Sequence, residues 1–152
     1  VRRLLLALLL ACLTLPAGAA ELKVATWNLE WLIDRPDGDR ALPKDAHPKR
    51  PGDIATLAGY AAQLDADVIA IQEVDGREIA ARIFPPDRYS IHLTGDHVVE
   101  PVGLVVRRGL AYDVNPDDTA LTLSGPPPAH LRSGADITLH LAGGRCACSR
   151  CT

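Results

Sequence analysis

Ala66-Asp67-Val68-Ile69-Ala70-Ile71-Gln72-Glu73-Val74-Asp75 is the stretch on which the fold turns. Val68 to Gln72 is a nearly unbroken apolar run between polar residues, which suits a strand covered on both faces and therefore placed inside a sheet. The same design occurs earlier, in Lys23-Val24-Ala25-Thr26-Trp27-Asn28-Leu29-Glu30-Trp31. Each segment is an apolar strand ending in a polar residue, an amide at Asn28 and a carboxylate at Glu73. Placed where strands run out and the backbone turns toward solvent, the two together suit a hard divalent cation, which prefers oxygen donors.

Working outward, strand and helix patterns alternate. Ile54, Leu57, Ala61 and Leu64 recur at helical spacing, with Pro51-Gly52-Asp53 as the start and Asp65-Ala66-Asp67 as the exit. Arg35 to Pro51 is rich in Pro and charge and reads as a solvated loop. Gly76 to Ile83 predicts a short helix stopped by Pro85-Pro86, and Tyr89 to Leu93 alternates as a strand. Gly103 to Val106 and Leu110 to Val114 are further strand candidates around a turn at Arg107-Arg108-Gly109, and Asp136 to Leu141 is the last expected strand. Asn115 to Pro128 is expected as a loop around a short apolar piece, Leu121 to Leu123. This order indicates an α/β layered domain with a mixed sheet.

The chain has 152 residues and a formal charge of -3, with both signs interspersed. No basic stripe marks a nucleic-acid partner and no acidic tail marks disorder. Val1-Arg2-Arg3, the apolar Leu4 to Leu15 and the small-residue exit Pro16-Ala17-Gly18-Ala19 read as a secretory signal peptide over residues 1–19. Secretion or a periplasmic location is expected, without stable membrane insertion after cleavage. A competing reading takes Leu9-Leu10-Ala11-Cys12 as a lipobox, with Cys12 lipidated. Residues 20–144 are expected to form one domain.

The pairing of Ala25-Thr26-Trp27-Asn28-Leu29-Glu30-Trp31 with Ile71-Gln72-Glu73-Val74-Asp75 resembles the endonuclease/exonuclease/phosphatase superfamily of metal-dependent phosphoesterases. The resemblance runs from about Leu22 to Leu141 and includes Val102-Gly103-Leu104-Val105-Val106-Arg107-Arg108. It implies the N-terminal part of a DNase I-like four-layer α/β sandwich with mixed β-sheets. It also implies that Glu73 ligates Mg²⁺ or Mn²⁺, while the Asn28 amide steadies that carboxylate or a metal-bound water and can donate to a phosphate oxygen. Both are candidate catalytic and metal-site residues, and neither is the base. The implied substrate is a phosphoester: nucleic acid, a phospholipid head group or a small phosphoester. No protein partner is predicted.

Each residue also has a plainer reading. An Asn at a strand end is commonly an Asx-turn residue, and a Glu after a buried strand is commonly a loop carboxylate. Trp27 and Trp31 read as packing residues, and Gln72 as a bond to a neighbouring strand. His47, His92 and His97 read as structural or solvated, and His130 and His140 fall outside the superfamily's motifs.

The superfamily's Gly-Asp-x-Asn and Ser-Asp-His motifs do not occur, so little activity is expected of this chain. Exposed apolar sheet edges and an uncovered sheet face are expected to favour aggregation. Arg145-Cys146-Ala147-Cys148-Ser149-Arg150-Cys151-Thr152 changes composition abruptly. Its three cysteines make a poor zinc site without a fourth ligand. Read two nucleotides out of frame with GC-rich codons, this tail becomes Leu-Arg-Val-Leu-Ala-Val-His-Leu, so residues 145–152 are expected to be frameshifted. The alternative to a truncated hydrolase is a secreted α/β module without catalysis.

Overall fold

In the computed structural model the described residues are 21–40, 42, 44, 46–95, 101–119 and 133–141, together with the backbone of 144–151. The expected signal peptide and Cys12, the apolar piece Leu121 to Leu123, His97, His130 and the side chains of the cysteine tail lie outside them.

The chain order is β1 (Val24–Leu32), α1 (Pro51–Leu64), β2 (Val68–Val74), α2 (Arg77–Ala81), β3 (Tyr89–Leu93), β4 (Gly103–Arg107), β5 (Ala111–Val114), β6 (Ala135–Leu141) and β7 (Gly144–Cys151). Two sheets result, one ordered β1-β2-β4-β3 and the other β5-β6-β7. β1 and β2 run parallel through the α1 crossover, while β4 is antiparallel to both β2 and β3. The first sheet is therefore mixed, as expected.

β2 shows why its sequence is apolar on both faces. Ile69 and Ile71 enter one core with Ile54 and Ala61 of α1, Ile79 and Ala80 of α2, and Phe84. Val68 and Ala70 enter a second core with Leu104 and Val106 of β4 and Ala135, Ile137 and Leu139 of β6. Helices thus cover one face of the first sheet and the second sheet covers the other. Val68, Ile69 and Ile71 are fully buried, and each contributes roughly 1.5–3 kcal/mol of transfer free energy before entropy is charged against it. The stripe Ile54, Leu57, Ala61, Leu64 faces the first core.

Pro51 occupies the first turn of α1, where its missing N–H costs nothing, and the Asp53 carboxylate accepts the Arg50 N–H at 3.0 Å. The helix ends at Asp65, whose backbone is left-handed.

One expectation is corrected. Asp136 to Leu141 is not the last strand, because Gly144–Cys151 pairs antiparallel with β6, setting Cys146 opposite Leu139 and Cys148 opposite Ile137. The open backbone edge of β6 supplies a ladder that the unusual composition of this segment does not prevent. Along β5 and β6 the outer face of the second sheet is polar. Asn115 Nδ2 donates to Asp136 Oδ1 at 3.1 Å and to Thr138 Oγ1 at 2.9 Å, and His140 Nε2 lies 2.8 Å from Asp113 Oδ2. Strict alternation along β6 sends Ala135, Ile137 and Leu139 inward and leaves this polar ladder outward, as antiparallel sheets with one wet face do.

Candidate metal centre

β1 and β2 stay in register from Val24↔Val68 to Asn28↔Gln72, and then Leu32 pairs with Val74. Three residues of β1, Leu29 to Trp31, therefore stand against Glu73 alone. Glu30, Trp31 and Glu73 all adopt left-handed backbone, with φ of 48°, 58° and 61°. For L-residues this costs roughly 1–2 kcal/mol each, and such irregularities re-aim side chains at strand ends.

The purpose of the break is legible in the cores. Ile69 and Ile71 face the helices, so an uninterrupted strand would send Glu73 to that apolar side as well. Val74, the next residue, packs there instead. Left-handed backbone at Glu73 thus turns its carboxylate out of the apolar layer. β1 makes the same slip, since Leu29 and Leu32, three apart, both reach the helix-side core.

Asn28 and Glu73 meet at this break. Asn28 Nδ2 donates to Glu73 Oε1 at 2.9 Å, and Asn28 Oδ1 accepts the Glu30 N–H at 2.8 Å. The second bond is an Asx turn, so the plainer reading of Asn28 is realised together with its contact to Glu73. The amide orientation is chemically forced, because a backbone donor needs the oxygen and a carboxylate needs the NH₂.

Neighbouring groups hold the break in place. The Arg35 guanidinium grips Asp75 through Nε at 2.8 Å and Nη2 at 2.7 Å, and the Asp75 N–H donates to the Leu32 carbonyl at 2.9 Å. That carboxylate raises the Arg35 pKa above its ordinary value, and a forked, charge-assisted pair of this kind is geometrically specific. Lys49 Nζ donates to the Glu30 carbonyl and lies 3.9 Å from Glu30 Oε2, which brings a cation to the same loop. Sequence reading did not find Arg35 or Lys49. Arg35 lies 40 residues from its partner, and no local pattern marks either residue.

The remaining candidates sit as packing or structural groups. Gln72 Nε2 donates to Thr26 Oγ1 on β1 at 3.2 Å. Trp27 stands edge-on to Phe84 with ring centroids 6.1 Å apart, and Trp31 packs on a satellite cluster of Ile33, Leu42 and Ala46. His47 pairs with Asp37 at 3.0 Å, and His92 Nε2 lies 2.8 Å from the Tyr112 hydroxyl.

Among the described residues no group of three His, Cys, Asp or Glu side chains could hold a metal. Zn²⁺, which takes three or four nitrogen or sulfur ligands, does not fit this donor set. Mg²⁺ does, since it keeps several waters and uses one or two carboxylates together with substrate oxygens. Glu73 can supply that carboxylate, and Asn28 can fix its orientation.

No protein-family model matches the sequence, and no curated protein matches it. Solved structures do. TDP2 from Caenorhabditis elegans is 16% identical with a TM-score of 0.53, the match covering 91% of this chain and 38% of that one. A D. rerio TDP2 humanized by 14 mutations is 15% identical with a TM-score of 0.52, covering 82% of this chain and 44% of that one. The chain thus spans well under half the length of these proteins. In fold the described residues, with their helix layer, mixed sheet and second sheet, are similar to these structures, a DNase I-like α/β arrangement.

Proposed function

We propose that this chain supplies the metal-holding part of a nuclease-type phosphoester hydrolase dependent on Mg²⁺ or Mn²⁺. The observation that carries the reading is the 2.9 Å bond between Asn28 and Glu73 at the level where both strands break. Similarity in fold to TDP2 supports it. Bound at Glu73, the ion would polarise a phosphoryl oxygen and screen its charge during in-line attack by water.

The chain's own residues then have separate tasks. Glu73 presents a carboxyl group whose Oε1 is held by Asn28, leaving Oε2 for the cation. Asn28 has a second N–H that can donate to a phosphate oxygen. Lys49 adds positive charge beside the loop, favouring an anionic substrate. No group of three His, Cys, Asp or Glu side chains gathers among the described residues, and the Gly-Asp-x-Asn and Ser-Asp-His motifs do not occur in the sequence, so Asn28 and Glu73 by themselves do not supply the acid-base assistance worth roughly 10²–10⁴-fold. We accordingly propose little turnover from this chain alone, and a secreted or periplasmic location for it.

Calorimetric titration with Mn²⁺ tests the site. Binding is expected in the native chain, weaker binding in Asn28→Ala and none in Glu73→Gln. Equal binding in all three would overturn the assignment and favour a module in which these residues only end strands. Robust divalent-dependent phosphodiesterase turnover, abolished in Glu73→Ala, would refute the low-activity part of the proposal.

A further inference from the structure

At the edge of the first sheet opposite β1, a cleft of about 250 Å³ opens along β3. Arg77 of α2 and Arg108 of the β4–β5 turn line it, with His92 and Ser90 of β3, over walls that include Ala81 and Ile91. No carboxylate is among its lining residues. Four guanidinium groups elsewhere are paired with carboxylates: Arg35 with Asp75, Arg82 with Asp34, and Arg88 and Arg107 with Asp65.

Arg77 and Arg108 depart from that pattern. Among the described residues Arg77 makes no hydrogen bond or ion pair, and Arg108 spends its Nε on the Pro86 carbonyl, which fixes the plane of the guanidinium while its terminal nitrogens meet no partner there. Burial, and with it the charge of Arg77, lowers the pKa of His92. Two uncompensated guanidinium groups converging on a small, mostly apolar cleft are complementary to an anion that carries an apolar body.

We propose that this cleft binds the phosphate group of an organic phosphomonoester, with Arg77 and Arg108 taking the phosphate oxygens and the apolar walls taking the body of the ligand. None of the residues lining the cleft belongs to the Asn28–Glu73 pair, and the proposal does not rest on the metal-site reading.

The test is an NMR titration of the full chain in metal-free buffer containing EDTA, following the His92 ring signals. Adenosine 5′-monophosphate is the probe, with inorganic phosphate and sodium chloride of matched ionic strength as comparisons. A saturable shift with the nucleotide is expected, several-fold tighter than with inorganic phosphate and absent with chloride. Arg77→Gln and Arg108→Gln should each weaken it about tenfold, the scale of one hydrogen-bonded charge pair. Both side chains are exposed, so both variants should keep the native thermal midpoint. Glu73→Gln should bind the nucleotide as the native chain does.

A response that only follows ionic strength, or that persists in the folded double variant, identifies ordinary solvated arginines and overturns the proposal. Loss of binding in Glu73→Gln places the phosphate at the other site and overturns it equally. Equal affinity for nucleotide and inorganic phosphate overturns the role given to the apolar walls.

Discussion

Replacing Glu73 by glycine and, separately, by alanine isolates the cost of the bent strand end from the chemistry of the carboxylate. Both substitutions delete the 2.9 Å bond to Asn28 and any ligand to a metal, so those losses cancel between them. What remains is backbone. At φ of 61° an L-residue is held in left-handed geometry at roughly 1–2 kcal/mol, a cost glycine does not bear. Glycine loses more chain entropy on folding, roughly 0.5–1 kcal/mol relative to alanine. Glu73→Gly should therefore be more stable than Glu73→Ala by about 0.5–1 kcal/mol, although glycine in a strand ordinarily weakens it. With a urea m-value of about 1–3 kcal/mol per molar, the midpoints should differ by a few tenths of a molar, glycine the higher. Neither variant should bind Mn²⁺. If alanine equals or exceeds glycine in urea, the left-handed backbone is not a stored cost and the account of the strand break is wrong.

Two further outcomes follow from the same physical picture. At Gly103 a Cβ would sit 2.4 Å from the His92 carbonyl oxygen and 2.5 Å from Leu93 Cδ2. Because backbone cannot give way as a side chain can, Gly103→Ala should destabilise by about 2 kcal/mol or more, read as a lower thermal midpoint. Burial, and secondarily the charge of Arg77, lower the His92 pKa below its ordinary 6.5. The unfolded chain then binds a proton more readily than the folded one. Stability from this group should be complete above about pH 6.5 and decline as pH falls below it, and His92→Gln should flatten that part of the urea midpoint profile.

The first sheet was readable because its signals are local. A helical stripe from Ile54 to Leu64 and a doubly apolar β2 each fix their own element and the faces it buries. β3, expected over Tyr89 to Leu93, forms over those residues. Topology was less visible. Arg107-Arg108-Gly109 reads as a turn between two strands, and only the structure assigns those strands, β4 and β5, to different sheets, because Leu104 and Val106 need a cover that β6 provides from the other layer. The last strand was missed for a related reason: a free sheet edge can order a segment whose own composition argues for little.

By itself the sequence determined the α/β class, the extents of α1 and β3, the start of β2, and the choice of Asn28 and Glu73 as polar residues of two apolar strands. Periodicity and burial are properties of a short window of chain, so one window suffices to read them. Tertiary structure alone decided that the two residues touch, that Glu73 turns out of the apolar layer through left-handed backbone, that Arg35 and Asp75 clamp the break, and that Arg77 and Arg108 share a cleft. Those facts depend on register between distant segments, which packing of the whole core selects.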